Sequence, residues 1–207
     1  MADQSKIQTM LDEHEIRTVR RVWAYARDLG EWETLKTCFH PDATVLISWY
    51  SGPAAGFIEG SAKRVAALGP EEHGKHLFGN FRITVNGTRA VSESDALITS
   101  RSPIDGVLFD MTSYGRFFDL FEKRDDTWRI FDWTGIYDKD RIDPVYPAKV
   151  PADFYDRMDL DDYPPQMKYR YYRTASKGRA MALGLVLGGS KEEKALRDKG
   201  ARWLAGD

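Results

Sequence analysis

Apolar residues open the chain at three- and four-residue spacings. Ile7, Met10, Leu11, Val19, Val22, Trp23 and Ala26 follow this rhythm with charges between them, which predicts a helix that Gly30 interrupts. Glu31 to Phe39 carries Trp32, Leu35 and Phe39 and reads as a second, short helix ended by His40-Pro41-Asp42. Ala43 to Tyr50 is dense in β-branched and aromatic residues and predicts a strand. Gly52, Pro53 and Gly56 mark a loop, after which Ser61 as N-cap and Gly69 as C′ residue bracket a third short helix.

From residue 76 the period becomes that of strands. His76 to Val85 runs into Asn86-Gly87, a strong hairpin signal, and Arg89 to Arg101 returns. Leu108 to Lys123 forms a long strand, Asp125-Asp126 turns it, and Trp128 to Tyr137 pairs back. Helices gathered at one end and hairpin-linked strands at the other predict an α+β domain, with helices covering one face of a curved antiparallel sheet. No internal repeat is visible.

The pattern breaks near Asp138. Residues 1–138 read as the domain and residues 139–207 as a C-terminal extension, where Pro144, Pro147, Pro151, Pro164 and Pro165 interrupt any long element. Between Asp140 and Pro165 the local charge is −4; Lys168, Arg170, Arg173, Lys177 and Arg179 then give +5 with no acid among them. Such a pair of segments suits a clamp on the chain itself, on a neighbouring subunit or on an anion. Phe154, Tyr155, Tyr163, Tyr169, Tyr171 and Tyr172 make the extension too aromatic for a free tail, so it is expected to wrap the domain or a partner subunit. Lys191 to Leu204 reads as a terminal helix.

Composition narrows the function. The 207 residues are 42% hydrophobic and 30% charged with a net charge of −2, an ordinary globular balance without the broad basic surface of a nucleic-acid binder. The apolar run Ala180 to Leu187 is too short to span a bilayer, and the polar N-terminus has no signal-peptide pattern. A cytoplasmic protein without nucleic-acid or membrane partners is expected. The one cysteine, Cys38, reads as a small buried hydrophobe.

Two residues stand out as candidate chemistry. Asp28 sits at the C-terminal end of the first helix, where the dipole disfavours a carboxylate. His76 opens the first strand of the meander, on one face with Phe78 and Asn80. Alone, Asp28 reads better as an exposed or turn-capping residue and His76 as a satisfied structural histidine.

Together they fit a known pattern. Tyr25-Ala-Arg-Asp28-Leu-Gly-Glu-Trp32, followed by Phe39-His-Pro-Asp42-Ala-Thr-Val45, resembles the opening of the SnoaL-like branch of the nuclear transport factor 2-like superfamily. His76-Leu-Phe-Gly-Asn80 resembles its second signature, and Tyr114-Gly-Arg116-Phe-Phe-Asp119 with Trp128-Arg-Ile130 its closing hairpin. The resemblance runs from about Ile7 to Asp138. It implies a cone-shaped α+β barrel whose curved antiparallel sheet wraps around the N-terminal helices and leaves a cavity at the open end. In lyase branches of the scytalone dehydratase and hexachlorocyclohexane dehydrochlorinase type, an aspartate at the end of the first helix orients a histidine on the facing strand. Asp28 and His76 fall on those two positions.

The resemblance therefore implies proton abstraction by His76, with Asp28 as its partner and no cofactor or metal. Tyr25, Trp49, Tyr50, Tyr114, Arg116 and Trp133 are the expected substrate-binding residues. A basic residue often found on the last strand of dehydrochlorinase-like members is replaced here by Phe131-Asp132-Trp133-Thr134, which points away from halide loss and towards an aromatic substrate. The long tail resembles bacterial SnoaL-like proteins associated with formaldehyde loss from lignin-derived diaryl compounds. The expected function is a lyase that eliminates water or a small fragment such as formaldehyde from a hydrophobic aromatic molecule. An isomerase or cyclase of a polycyclic ketone, and a non-catalytic ligand-binding module, are the alternatives. A homotrimer or homodimer built on the outer sheet face, with help from the tail, is expected.

Other signals carry less. His40-Pro41-Asp42 spells the J-domain tripeptide, but a strand follows it. Glu71, Glu72, His73 and His76 straddle a loop-to-strand boundary, so helical convergence on a metal is not available to them. No phosphate-cradling or dinucleotide-binding glycine motif occurs.

Overall fold

Asp3 accepts a hydrogen bond from the Ser5 N–H at 3.1 Å and caps α1 (Gln4–Leu29). The computed structural model describes residues 3–206. Gly30 ends the helix in the left-handed conformation, φ 74°, that an L-residue adopts only with strain. The buried face of α1 reads Asp12, Ile16, Arg20, Trp23 and Ala26. It is offset from the expected apolar stripe, since Met10 and Leu11 are exposed. The polar members are tolerated inside because each has partners. Arg20 Nε donates to Asp119 Oδ2 at 3.1 Å, while Trp128 Nε1 and Lys123 Nζ donate to Asp12 Oδ1 at 2.8 and 3.0 Å.

Two short elements differ from the expectation. After α2 (Trp32–Thr37) and β1 (Phe39–Ile47), the segment expected to be a loop forms β2 (Tyr50–Pro53), which pairs antiparallel with β1. The next helix, α3 (Ala54–Ala66), starts directly from Pro53, whose φ of −60° suits the entry. Ser61 is thus a buried residue inside the helix rather than its cap. Gly56 falls in its first turn, where a Cβ would overlap the Tyr50 hydroxyl.

Four long strands follow: β3 (His73–Asn86), β4 (Arg89–Ile104), β5 (Val107–Arg124) and β6 (Thr127–Pro144). They form the expected meander, and β1 then joins β6 in parallel through pairs such as Val45↔Trp133. The sheet, ordered β2-β1-β6-β5-β4-β3, is therefore mixed, not purely antiparallel. It curves over α1 at register shifts beside Gly79, Gly115 and Phe121, yet stays open, with β2 and β3 at its edges. The α+β class is as expected, but the barrel is not closed.

The strand β6 runs past the expected boundary at residue 138 and stays paired with β5 as far as Pro144. Beyond it, Phe154 and Met158 pack on Ile104, Phe109, Met111 and Ile142. There follow α4 (Lys168–Ser176), the two-residue β7 (Val186–Leu187) beside β6, and α5 (Lys191–Ala205). Leu196 of α5 packs on Phe118, Leu120 and Ile136 of the outer sheet face. Arg116, Glu93, Glu193, Arg197 and Asp138 join in one ion cluster above that seam. The tail thus covers part of the face expected to meet a second subunit.

Candidate active site

The packing of α1 against β3 sets Asp28, in the last turn of the helix, against His76 near the start of the strand. His76 Nδ1 lies 2.6 Å from Asp28 Oδ1, and the His76 backbone N–H donates to Oδ2 at 3.0 Å. A carboxylate can only accept, so Nδ1 carries the proton and Nε2 remains the basic atom. The carboxylate is 4% exposed. Burial would raise the Asp28 pKa, but the hydrogen bonds and charge of His76 outweigh it and hold the group below its ordinary value. Burial pushes His76 below its ordinary value against the pull of Asp28, and the positive charges of Arg27 and Arg170 add to the depression. The Trp23 indole packs edge-on against the imidazole at 5.3 Å.

His76 faces a cavity of about 510 Å³. Trp23, Phe57, Phe117 and Trp133 form its aromatic wall, with ring centroids 4.7–6.2 Å apart between contacting members. Neither the Trp23 nor the Trp133 indole N–H has a hydrogen-bond partner among the described residues, although both rings are buried. Buried indoles ordinarily find an acceptor; these two nitrogens are instead enclosed by the surrounding packing. Ser48 N–H donates to the Tyr137 hydroxyl at 2.7 Å on the same lining.

Of the expected site residues, Asp28, His76, Trp49 and Trp133 line this cavity. Tyr25, Tyr50, Tyr114 and Arg116 do not. Tyr25 is on the exposed side of α1 under the Lys75 ammonium, 5.4 Å from the ring centroid. The Tyr50 hydroxyl donates to the Pro53 carbonyl at 2.7 Å and shapes the β2–α3 junction. Tyr114 and Arg116 belong to the set of β5 residues that alternation turns outward: Lys139 covers Tyr114, and Arg116 joins the ion cluster with α5. The inward set includes Met111, Ser113 and Phe117. Met111 and Ser113 reach Arg173 and Arg170 of α4, and Phe117 lies on the cavity wall.

The basic side of the cavity lies outside the expected site. Eight Lys and Arg residues line the space against only Asp28 and Glu72. Arg170 and Arg173 come from the tail, three residues apart on one face of α4. Arg27 follows Trp23 by four residues on α1, and Arg64 stacks over Trp49 from α3 at 4.3 Å. The acid-free run from Lys168 to Arg179 was the one sequence signal for this. Among the described residues, no three His, Cys, Asp or Glu side chains gather as a metal site.

Comparison with known proteins places the family and the fold. Residues 8–134 match the SnoaL-like domain. The chain belongs to the SnoaL-like family. Its relatives include a PEP2-like protein of Fusarium vanettenii, 34% identical over 179 residues that make up 85% of this chain and 75% of the relative. Pea pathogenicity protein 2 of the same fungus is 36% identical over 167 residues, 78% of this chain and 69% of that protein. Among solved structures, a scytalone dehydratase-like protein from Novosphingobium aromaticivorans superposes with a TM-score of 0.54 at 19% identity, over 66% of this chain and 90% of that one. A hexachlorocyclohexane dehydrochlorinase of type 2 superposes with a TM-score of 0.51 at 16% identity, over 68% and 93% of the two chains. These likenesses establish the nuclear transport factor 2-like fold of the SnoaL-like domain. No helix among the described residues is long and apolar enough to cross a membrane.

Proposed function

We propose that this SnoaL-like protein is a cofactor-independent lyase acting on a small hydrophobic ring compound. The observation that carries the reading is the 2.6 Å contact between His76 Nδ1 and a buried Asp28, which leaves Nε2 as a base on the wall of an aromatic cavity. Nε2 takes a proton from carbon or hydroxyl. The electron pair left behind forms the new double bond, and the leaving group departs with its own pair. The imidazolium, stabilised by the Asp28 carboxylate, then returns the proton: a departing hydroxide leaves as water, whereas in a hydroxymethyl compound the oxygen pair forms the carbonyl of formaldehyde, the C–C bond breaks, and the proton goes to the carbon left behind.

A positioned base of this kind contributes about 10²–10⁴-fold in rate. Membership of the SnoaL-like family, with a fold like that of a scytalone dehydratase-like protein and a dehydrochlorinase, supports a lyase or isomerase type of role, and the elimination is the finer reading.

The test is incubation of the protein and its His76→Ala variant with hydroxylated and diaryl ring compounds, without added cofactor, followed by mass analysis. A product lighter by water or formaldehyde, absent with the variant, supports the proposal. A product of unchanged mass identifies an isomerase, and tight binding without conversion identifies a carrier; either overturns it.

A further inference from the structure

Five arginines on the cavity lining, Arg27, Arg64, Arg170, Arg173 and Arg179, make no ion pair with any described residue. Four of them, all but Arg179, are half-buried. A partly desolvated guanidinium normally finds a carboxylate, because leaving it unpaired forfeits hydration without return. Here the partners are neutral. Arg170 donates to the Ser113 hydroxyl at 2.6 and 3.2 Å, and Arg173 donates to the Ser100 hydroxyl at 2.7 Å. Burial and the neighbouring arginines push Arg173 down to about 10. Arg64 is likewise lowered by burial and by Arg179, Arg27 and Arg170.

These cations are held in place rather than floating in solvent. The Arg170 backbone N–H donates to Asp140 Oδ2 at 2.8 Å, and the Tyr172 hydroxyl donates to Asp105 at 2.6 Å, fixing α4 over the sheet. Their position relative to the base follows from strand register. His76 pairs with Ile98, and Ile98 pairs with Ser113, so the hydroxyl that holds Arg170 lies in the same cross-strand row as His76. Two strand spacings separate them, about 10 Å, with the cavity above.

We propose that the molecule bound in this cavity is an anion: a ring compound bearing a carboxylate or phosphate ester, gripped by Arg170 and Arg173 while its ring reaches towards His76. This rests on the lyase reading and adds to it the charge of the substrate. The aromatic wall takes the ring, and the basic side takes the anionic group in the fork geometry that guanidinium offers to planar or tetrahedral oxyanions. Without such a ligand the arginines repel one another; a bound anion offsets that repulsion by attracting each of them.

The test is calorimetric titration of the whole chain with three probes of similar size: 4-hydroxybenzoate, phenyl phosphate and the neutral 4-hydroxybenzyl alcohol. At least one anion is expected to bind about 30-fold or more tighter than the alcohol, the yield of a single charge-assisted contact, and to weaken steeply with added salt. The stronger of the two anions identifies the group. Arg170→Met and Arg173→Met are expected to erase the preference for the anions over the alcohol. The wild-type comparison needs no variant to fold. Equal binding of anions and alcohol, or a preference that survives both substitutions, overturns the proposal. His76→Ala separates the two ideas: it should abolish elimination yet retain the anion preference. Elimination of neutral compounds without anion preference would refute only the charge assignment. Anion binding that His76→Ala leaves intact, with no elimination of any bound compound by the wild type, would refute only the lyase.

Discussion

Replacing Asp119 by Asn tests how the cavity floor is supported. Asp119 and Arg20 form a fully buried ion pair, both side chains 0% exposed, with Arg20 Nε 3.1 Å from Asp119 Oδ2. The Arg20 guanidinium also lies 5.0–5.5 Å from the centroids of Trp23, Phe78, Phe117 and Trp133, three of which line the cavity. Removing the carboxylate strands the cation among these rings. Their quadrupoles return only about 2 kcal/mol when desolvated, against about 3–5 kcal/mol for breaking a buried pair, so the pair decides the outcome. At about 2–4 °C per kcal/mol for a chain of this size, 3–5 kcal/mol lowers Tm by about 6–20 °C. Thermal unfolding followed by circular dichroism measures it. The double variant Arg20→Met with Asp119→Leu should recover most of the loss, because apolar residues of similar volume replace buried pairs at little cost. An Asp119→Asn variant within 1 °C of wild type, or a double variant worse than the single one, would refute the reasoning.

Three further outcomes follow from the same contacts. In an NMR titration the His76 imidazole should ionise below the ordinary histidine range, because burial outweighs Asp28. Asp28→Asn should move it lower still, since the carboxylate is what raises it; an upward move would contradict the dyad. Glu93 and Glu193 are each held at about 2: Arg197 and Arg116 overcome the burial of Glu93, and the Arg116 hydrogen bond leads for Glu193. Their contribution to stability is present above the ordinary value of 4.5 and is lost as pH falls from there to about 2, so Arg116→Met should lessen the drop in Tm between pH 5 and pH 3. Gly115→Ala should cost about 1–3 kcal/mol in chemical denaturation, because the added Cβ meets the Ile136 carbonyl and backbone cannot swing aside.

Much of the fold was legible because its elements obey simple periods. The hairpins at Asn86-Gly87 and Asp125-Asp126 carried their own turn chemistry, with Gly87 and both aspartates at positive φ. The parallel pairing of β1 with β6 had no local signal, since it joins residues almost ninety positions apart. The dyad was legible as two residues in familiar places. The face of β5 was not: alternation defines two sets of residues without saying which faces inward, and the ionic seam with α5 claimed Tyr114 and Arg116. Arg170 and Arg173 stood in a segment whose charge was plain and whose docking depended on aromatic contacts far away in sequence, such as Phe154 on Phe109.

The most direct test of the dyad uses 5-nitrobenzisoxazole, a flat aromatic compound that opens when a base removes one C–H proton, with the N–O bond breaking to give a coloured phenolate. If His76 is a base in an aromatic cavity, the wild-type protein accelerates this opening above buffer, the rate rises with pH as His76 loses its proton, and His76→Ala falls to the buffer rate. A His76→Ala variant as fast as wild type would contradict the assignment of His76 as the base.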